Sequence, residues 1–258
     1  MGDPRSLGEM IAEMQARQAV ERPCASCGAP ARSPLVRVIC PACYSAELAR
    51  QWASAARDVE RDLLRTIPAR YRDAELAGDG LSRLTARVSG DRIPEQAQAA
   101  IVSRRNVVVR GLSGSGKTTV AVAMLRELCM GILREAREVD EREYTIGTSY
   151  AWSRARSCTY LRSHDVTNAC DARRLGEADP PELEAAEGAA VLLLDDLALE
   201  PPHNKIAEIL LRRGDAERTT IVTTTATDDQ LIARYGEGAI RRLIEAGSGV
   251  VIHCGRAA

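Results

Sequence analysis

Phenylalanine is absent from this chain of 258 residues, and aromatic residues make up only 3% of it. A core without Phe must rest on Leu, Val, Ile and Ala, and a mechanism that stacks nucleic-acid bases on aromatic side chains is disfavoured. Lysine is nearly missing too: it occurs at 117 and 205, so the positive charge is carried almost wholly by Arg. No apolar run approaches the roughly 18 residues that a membrane-spanning helix needs. Residues 1 to 20 contain Asp3, Glu9 and Glu13 and no apolar segment of the kind a secretory signal requires, so the chain reads as cytoplasmic. A formal net charge of −1 excludes a globally basic nucleic-acid binder, though not a local Arg patch. Hydrophobic residues at 45% suffice for a buried core, and the length allows one sizeable domain with an appendage.

What the sequence does have is concentrated at residues 106 to 119. The β-branched run Val107 to Val109 stops at Gly111, and Leu112, Ser113, Gly114, Ser115, Gly116, Lys117, Thr118 and Thr119 follow. A helix-compatible stretch then runs from Val120 to Leu128. This is the spacing G-x-x-x-x-G-K-[ST] in the context strand, loop, helix. Glycines without a Cβ let the backbone curl so that its N–H groups converge on one concavity, and the helix N-terminus behind it favours phosphate. Lys117 is expected to reach the β- and γ-phosphates of a nucleoside triphosphate, ATP, and the Thr118 hydroxyl to bind Mg²⁺. An ordinary Gly-rich turn is the plain alternative.

Eight cysteines include two C-x-x-C pairs, Cys24/Cys27 and Cys40/Cys43. Paired knuckles of this kind bring four thiolates to a tetrahedral Zn²⁺, and four ligands leave no open position, so the site reads as structural. Some forty residues cannot bury enough apolar surface alone; metal binding of roughly 10–16 kcal/mol would supply the folding energy. Four free thiols or a redox pair are the alternatives. Leu35 to Ile39 is expected as a strand between the knuckles. Cys129, Cys158, Cys170 and Cys254 have no metal spacing and read as small core residues; the three His are given no role.

Further along, residues 6 to 20 have the spacing of a short amphipathic helix, Ala46 to Leu64 reads as a longer one, and Gly78 to Asp91 as a connector. Pro94 to Val102 is a helix with Pro in its first turn, and Arg134 to Glu143 a solvated helical surface. Ser157 to Leu161 is a second strand, with Arg154, Arg156, Arg162, Arg173 and Arg174 about it as a basic patch or as solvated side chains. Ala189 to Asp196 is an apolar run ending in two carboxylates, the pattern of a parallel strand buried on both faces, whose carboxyl end is where such sheets bind ligands. Asp195 is therefore the expected metal-side carboxylate and Asp196 the residue that orients attacking water; a capped strand end is the alternative. Thr219 to Thr225 is a third strand whose end could place a hydroxyl near the γ-phosphate. Asp228 to Tyr235 is a helix, Arg234, Arg241 and Arg242 are available for phosphate, and Val250 to Cys254 is a last strand.

Taken together, Ile67 to Tyr71, Gly111 to Thr118, Leu192 to Asp196, Thr220 to Thr225 and Leu231 to Tyr235 resemble the DnaC/DnaI-type helicase loaders and the related IstB-type transposition ATPases of the AAA+ group. The resemblance covers roughly residues 65 to 254, and the Cys-rich amino-terminal module resembles the DnaI side. It implies an α/β P-loop fold: a parallel five-stranded sheet flanked by helices, without a carboxyl-terminal helical lid. The implied division is 1–65 for the amino-terminal helix, zinc module and linker helix, and 66–258 for the ATPase domain. It further implies ATP hydrolysis, a homo-oligomer in the ATP-bound state, a replicative DNA helicase as partner and single-stranded DNA as substrate. A transposase partner, or an ATP-gated adaptor with negligible turnover, would fit the same motifs. Arg242 falls at the family's trans-acting arginine, with Arg241 a close rival. Thr225 stands where the family usually has a sensor Asn, and Asp196 where most AAA+ proteins have Glu.

Overall fold

The structure, a computed structural model, describes residues 20–33, 39–76, 93–143, 150–174, 176–201, 203–244 and 249–255. Residues 6–19 of the helix expected over 6–20, the connector about Gly78 to Asp91 and all but Ile39 of the expected strand Leu35 to Ile39 lie outside them, and Val20 belongs to a strand. The chain divides into two compact units, residues 1–55 and 56–258.

In the first unit, β1 (Val20–Pro23) and β2 (Pro30–Ser33) form an antiparallel hairpin that carries Cys24 and Cys27 in its turn. Helix α1 (Pro41–Thr66) begins directly after Cys40, with Cys43 in its first turn. Pro41 is tolerated there because the first-turn amides have no intrahelical acceptor.

The second unit is built on a parallel sheet of five strands: β3 (Asn106–Gly111), β4 (Thr159–Arg162), β5 (Val191–Leu197), β6 (Thr219–Thr224) and β7 (Gly249–Cys254). Their spatial order is β4-β5-β6-β3-β7, so β6 is inserted between the phosphate-loop strand and the Asp-bearing strand. Val107, Val108 and Val109 are buried, as are Val191 to Asp195 and every residue of β6, which is the cost-free arrangement only where helices cover both faces. The helices are α2 (Ile93–Ser103), α3 (Lys117–Glu143), α4 (Tyr150–Arg156), α5 (Ser163–Ala172), α6 (Pro181–Gly188), α7 (Asn204–Asp215), α8 (Asp228–Tyr235) and α9 (Glu237–Ile244). Helices α5 to α9 share one apolar cluster with the sheet, centred on Val108, Leu192, Leu194 and Val222. Helix α3 packs on β3, β5 and β6, and its Val122, Leu125 and Ile132 are buried. Of the four cysteines read as small core residues, Cys129, Cys158 and Cys254 are buried and Cys170 packs half-buried against the cluster. No described helix is long and apolar enough to cross a membrane.

Two boundaries differ from the sequence reading for a visible reason. The second strand starts at Thr159 and not at Ser157, because the amides of Ser157 and Cys158 donate back to Ser153 and Ala155 and close the end of α4. The β5–β6 ladder slips between Leu194 and Leu197: Leu194 pairs with Val222 and Leu197 with Thr224, so Asp195 and Asp196 together face Thr223. This is a bulge, one extra residue on one strand, and Asp196 accordingly adopts φ 59°.

Candidate functional site

All five strands of the sheet run the same way, so Gly111, Arg162, the Asp195–Asp196 pair and Cys254 come together at one edge. The loop from Gly111 to Gly116 caps that edge and α3 begins at Lys117. At Gly111 an added Cβ would fall on the carbonyl oxygen of Cys254, to which the loop strand is paired. Gly114 and Gly116 have φ of 78° and 87°, the left-handed conformation that glycine enters without penalty. Lys117 is 7% exposed, and its Nζ donates to the carbonyl of Leu112 across the loop at 2.8 Å. Burial lowers its pKa, opposed by the charges of Asp196 and Asp195. The Ser115 Oγ is buried and meets no hydrogen-bond partner among the described residues, a polar group left over inside the cradle.

Across from the loop, the Thr118 Oγ1 donates to Asp195 Oδ1 at 2.9 Å, joining the first turn of α3 to the end of β5. Asp195 is 2% exposed and accepts two more hydroxyl protons, from Thr223 (2.5 Å) and Tyr160 (2.8 Å). Asp196 turns outward; its amide donates to Thr223 Oγ1 and its carbonyl accepts from Ser163. Burial and the neighbouring Asp195 raise its pKa. The loop beyond is pinned by the buried Glu200, which accepts from the amide of Ala198 and from Arg234 and Tyr235 of α8.

Other residues singled out in the sequence lie elsewhere. Thr225 is exposed in the bend after β6, and the hydroxyl that meets the acid pair belongs to Thr223. Arg242 lies in α9, where it donates to Asp215 at 2.8 Å and to the carbonyl of Gly238. With Arg104, Arg105, Arg218 and Arg241 it lines a cavity of about 730 Å³ beside Asn106 and Thr219, at the opposite edge of the sheet. The proposed Arg patch is spoken for in part: Arg173 pairs with Asp179 and with the carbonyl of Glu177. Tyr160 and Thr223 escaped the sequence reading. The one signal for Tyr160 was its position two residues before Arg162 on a short strand, which puts both on the same face.

In the first unit the sulfurs of Cys24, Cys27, Cys40 and Cys43 all lie within 4.8 Å of one another, and Cys27 and Cys40 are 3.6 Å apart. Tetrahedral zinc with Zn–S bonds of about 2.3 Å sets sulfurs roughly 3.8 Å apart, and no pair among the four thiols exceeds that by more than about 1 Å. The amides of Cys40 and Ser26 donate to Cys24 Sγ at 3.2 and 3.4 Å and lower its pKa to about 6, favouring the thiolate. The cluster is able to hold a metal ion.

A five-stranded parallel sheet of this order, with a glycine-rich loop and Lys-Thr at one strand end and paired acids at another, has the architecture of a P-loop fold. No protein-family model matches the sequence, and no curated protein matches it. Among solved structures the chain is similar to the DnaC helicase loader, at 18% identity and a TM-score of 0.47 over 72% of this chain and 99% of that one. It is similar also to DnaI, at 17% identity and a TM-score of 0.44 over 78% and 92% of the two chains. AMPPCP-bound DnaA from Aquifex aeolicus gives 16% identity and a TM-score of 0.38 over 73% and 51%. These are likenesses of fold.

Proposed function

We propose that this protein binds and hydrolyses Mg-ATP and uses the cycle to place a replicative DNA helicase on single-stranded DNA. One observation carries the nucleotide part: the hydrogen bond from Thr118 to Asp195, made beneath a glycine-rich loop that already holds Lys117. Backbone amides of residues 112–118 bind the phosphates, Lys117 exchanges its contact with Leu112 for phosphate oxygens, and Thr118 with Asp195 holds magnesium. When bound, that ion would neutralise charge on the β- and γ-phosphates. Asp196, exposed at the same edge, orients the attacking water as a carboxylate. Arg242, supplied by a second copy, stabilises the charge that develops on the transferred phosphoryl group, an effect worth about 10³–10⁵ in rate. Thr225, exposed in the bend after β6, offers a further hydroxyl at the carboxyl end of that strand. Zinc on Cys24, Cys27, Cys40 and Cys43 folds the amino-terminal unit, which is the surface for the helicase.

The motif resemblance from Ile67 to Tyr235 supports the replication partner. ATP uptake by calorimetry and phosphate release should both vanish in Lys117→Ala. With the cognate helicase and ATP, the zinc-loaded protein should transfer that helicase to circular single-stranded DNA. No transfer under any nucleotide, with ATP uptake intact, would remove the loader role; transfer of a transposase to duplex DNA instead would reassign the partner.

A further inference from the structure

A buried carboxylate is tolerated only when its acceptor positions are filled. Asp195 offers about four lone-pair sites on its two oxygens. Thr118 and Thr223 donate to Oδ1 and Tyr160 donates to Oδ2, so three are taken and one, on Oδ2, remains. The donors arrive from three directions: Thr118 from α3, Thr223 from β6 on one side of β5, and Tyr160 from β4 on the other.

One of these hydroxyls has no choice of direction. Thr223 Oγ1 is met by the amide of Asp196 at 2.9 Å, and an amide N–H can only donate. The hydroxyl proton of Thr223 must therefore go to Asp195. Tyr160 donates its phenol proton to Asp195 Oδ2 at 2.8 Å. Thr118 has no such second donor among its described hydrogen bonds and is free to turn its lone pairs elsewhere.

We propose that Tyr160 and Thr223 are positioning residues that fix the carboxylate of Asp195 in one orientation, with the bulge amide of Asp196 locking the direction of the Thr223 hydroxyl proton. The inference rests on the Mg-ATP reading and adds to it a supporting layer on the two strands beside β5. Groups that orient a metal's ligand are typically worth 10–100-fold in metal affinity.

The test is a titration of the full chain with Mn²⁺, followed by electron paramagnetic resonance, in the presence of a non-hydrolysable ATP analogue. Tyr160→Phe and Thr223→Val should each weaken Mn²⁺ by about tenfold, while analogue affinity without metal moves less than twofold. Thr223→Ser, which keeps the hydroxyl, should titrate like the parent, a recovery that loss of packing would not give. Should Tyr160→Phe fail to fold, the Thr223→Val and Thr223→Ser pair decides alone. Parent-like Mn²⁺ binding in the folded variants overturns the inference and leaves the ATP reading standing; a parent protein that takes up neither analogue nor Mn²⁺ overturns both.

Discussion

At residue 111 a single methyl group would be too much. An added Cβ would press on the Cys254 carbonyl and come within 2.7 Å of the Ser115 Oγ, and the Gly111–Cys254 pairing of β3 with β7 leaves the backbone little room to yield. Gly111→Ala is therefore expected to cost about 1–3 kcal/mol, as overpacking does in a filled interior. The loss should be measurable by urea denaturation and accompanied by weaker ATP uptake, since the first phosphate-loop amides are displaced with it. An alanine variant with the parent's midpoint and affinity would mean that β7 moves aside. Motif spacing marks Gly111 in the sequence, but the reason it is glycine lies in a strand at the far end of the chain. Thr223 was hidden in the same way. In Thr223-Thr224-Thr225 three hydroxyls are equivalent on paper, and only the bulge at Asp195–Asp196 selects the first of them.

Among the elements, α7 depends on an arginine that looks ordinary in sequence. Arg212 and Arg213 are neighbours; Arg212 is exposed and pairs with Glu187, whereas Arg213 is 1% exposed. The Arg213 guanidinium donates to the carbonyls of Ala186 and Ala189 at the end of α6, to the carbonyl of Thr219, and to Thr220 Oγ1, with distances of 2.6–2.9 Å. It satisfies carbonyls that a helix end leaves open, and favours them further by its charge. Arg213→Leu would strand those acceptors in an apolar interior, at a cost of about 3 kcal/mol or more by denaturant unfolding; Arg213→Lys should recover a part. Similar losses for Arg212→Leu and Arg213→Leu would refute the assignment. The long apolar run of β5, the β-branched run of β3 and the C-x-x-C pairs were legible because their patterns are local. The helix reading from Ala46 to Leu64 fell short of Pro41–Thr66 because a first-turn proline does not stop a helix. At the cysteine cluster, a single zinc per chain is expected by elemental analysis, and Co²⁺ in its place should show thiolate charge-transfer absorption. Cys40→Ser, at the thiol 3.6 Å from Cys27, should lose both.

For the molecule as a whole, the phosphate loop and the arginines of α9 sit at opposite edges of the sheet. Arg242 lines the cavity beside Asn106 and Thr219, the first residues of β3 and β6, while Gly111 and Asp195 lie at the strands' other ends. A strand of six residues spans about 20 Å at roughly 3.3 Å per residue. That is well beyond the reach of an arginine side chain, so Arg242 cannot touch this chain's own triphosphate. If it accelerates hydrolysis, it does so for a neighbour, and specific activity must rise with protein concentration. Arg242 is also steadied for such a task, held by Asp215 and by the carbonyl of Gly238, with its methylenes against Gly214. Arg242→Ala should keep ATP affinity per chain and lose turnover; Lys117→Ala should lose both. The decisive experiment mixes these two inactive proteins. An interface joining the intact loop of one to the intact arginine of the other restores a complete site, so a fraction of the parent's phosphate release should return. If mixtures at every ratio stay silent while Arg242→Ala alone still binds ATP, Arg242 has no part in the neighbour's chemistry, and Arg241 in the same cavity is the residue to exchange next.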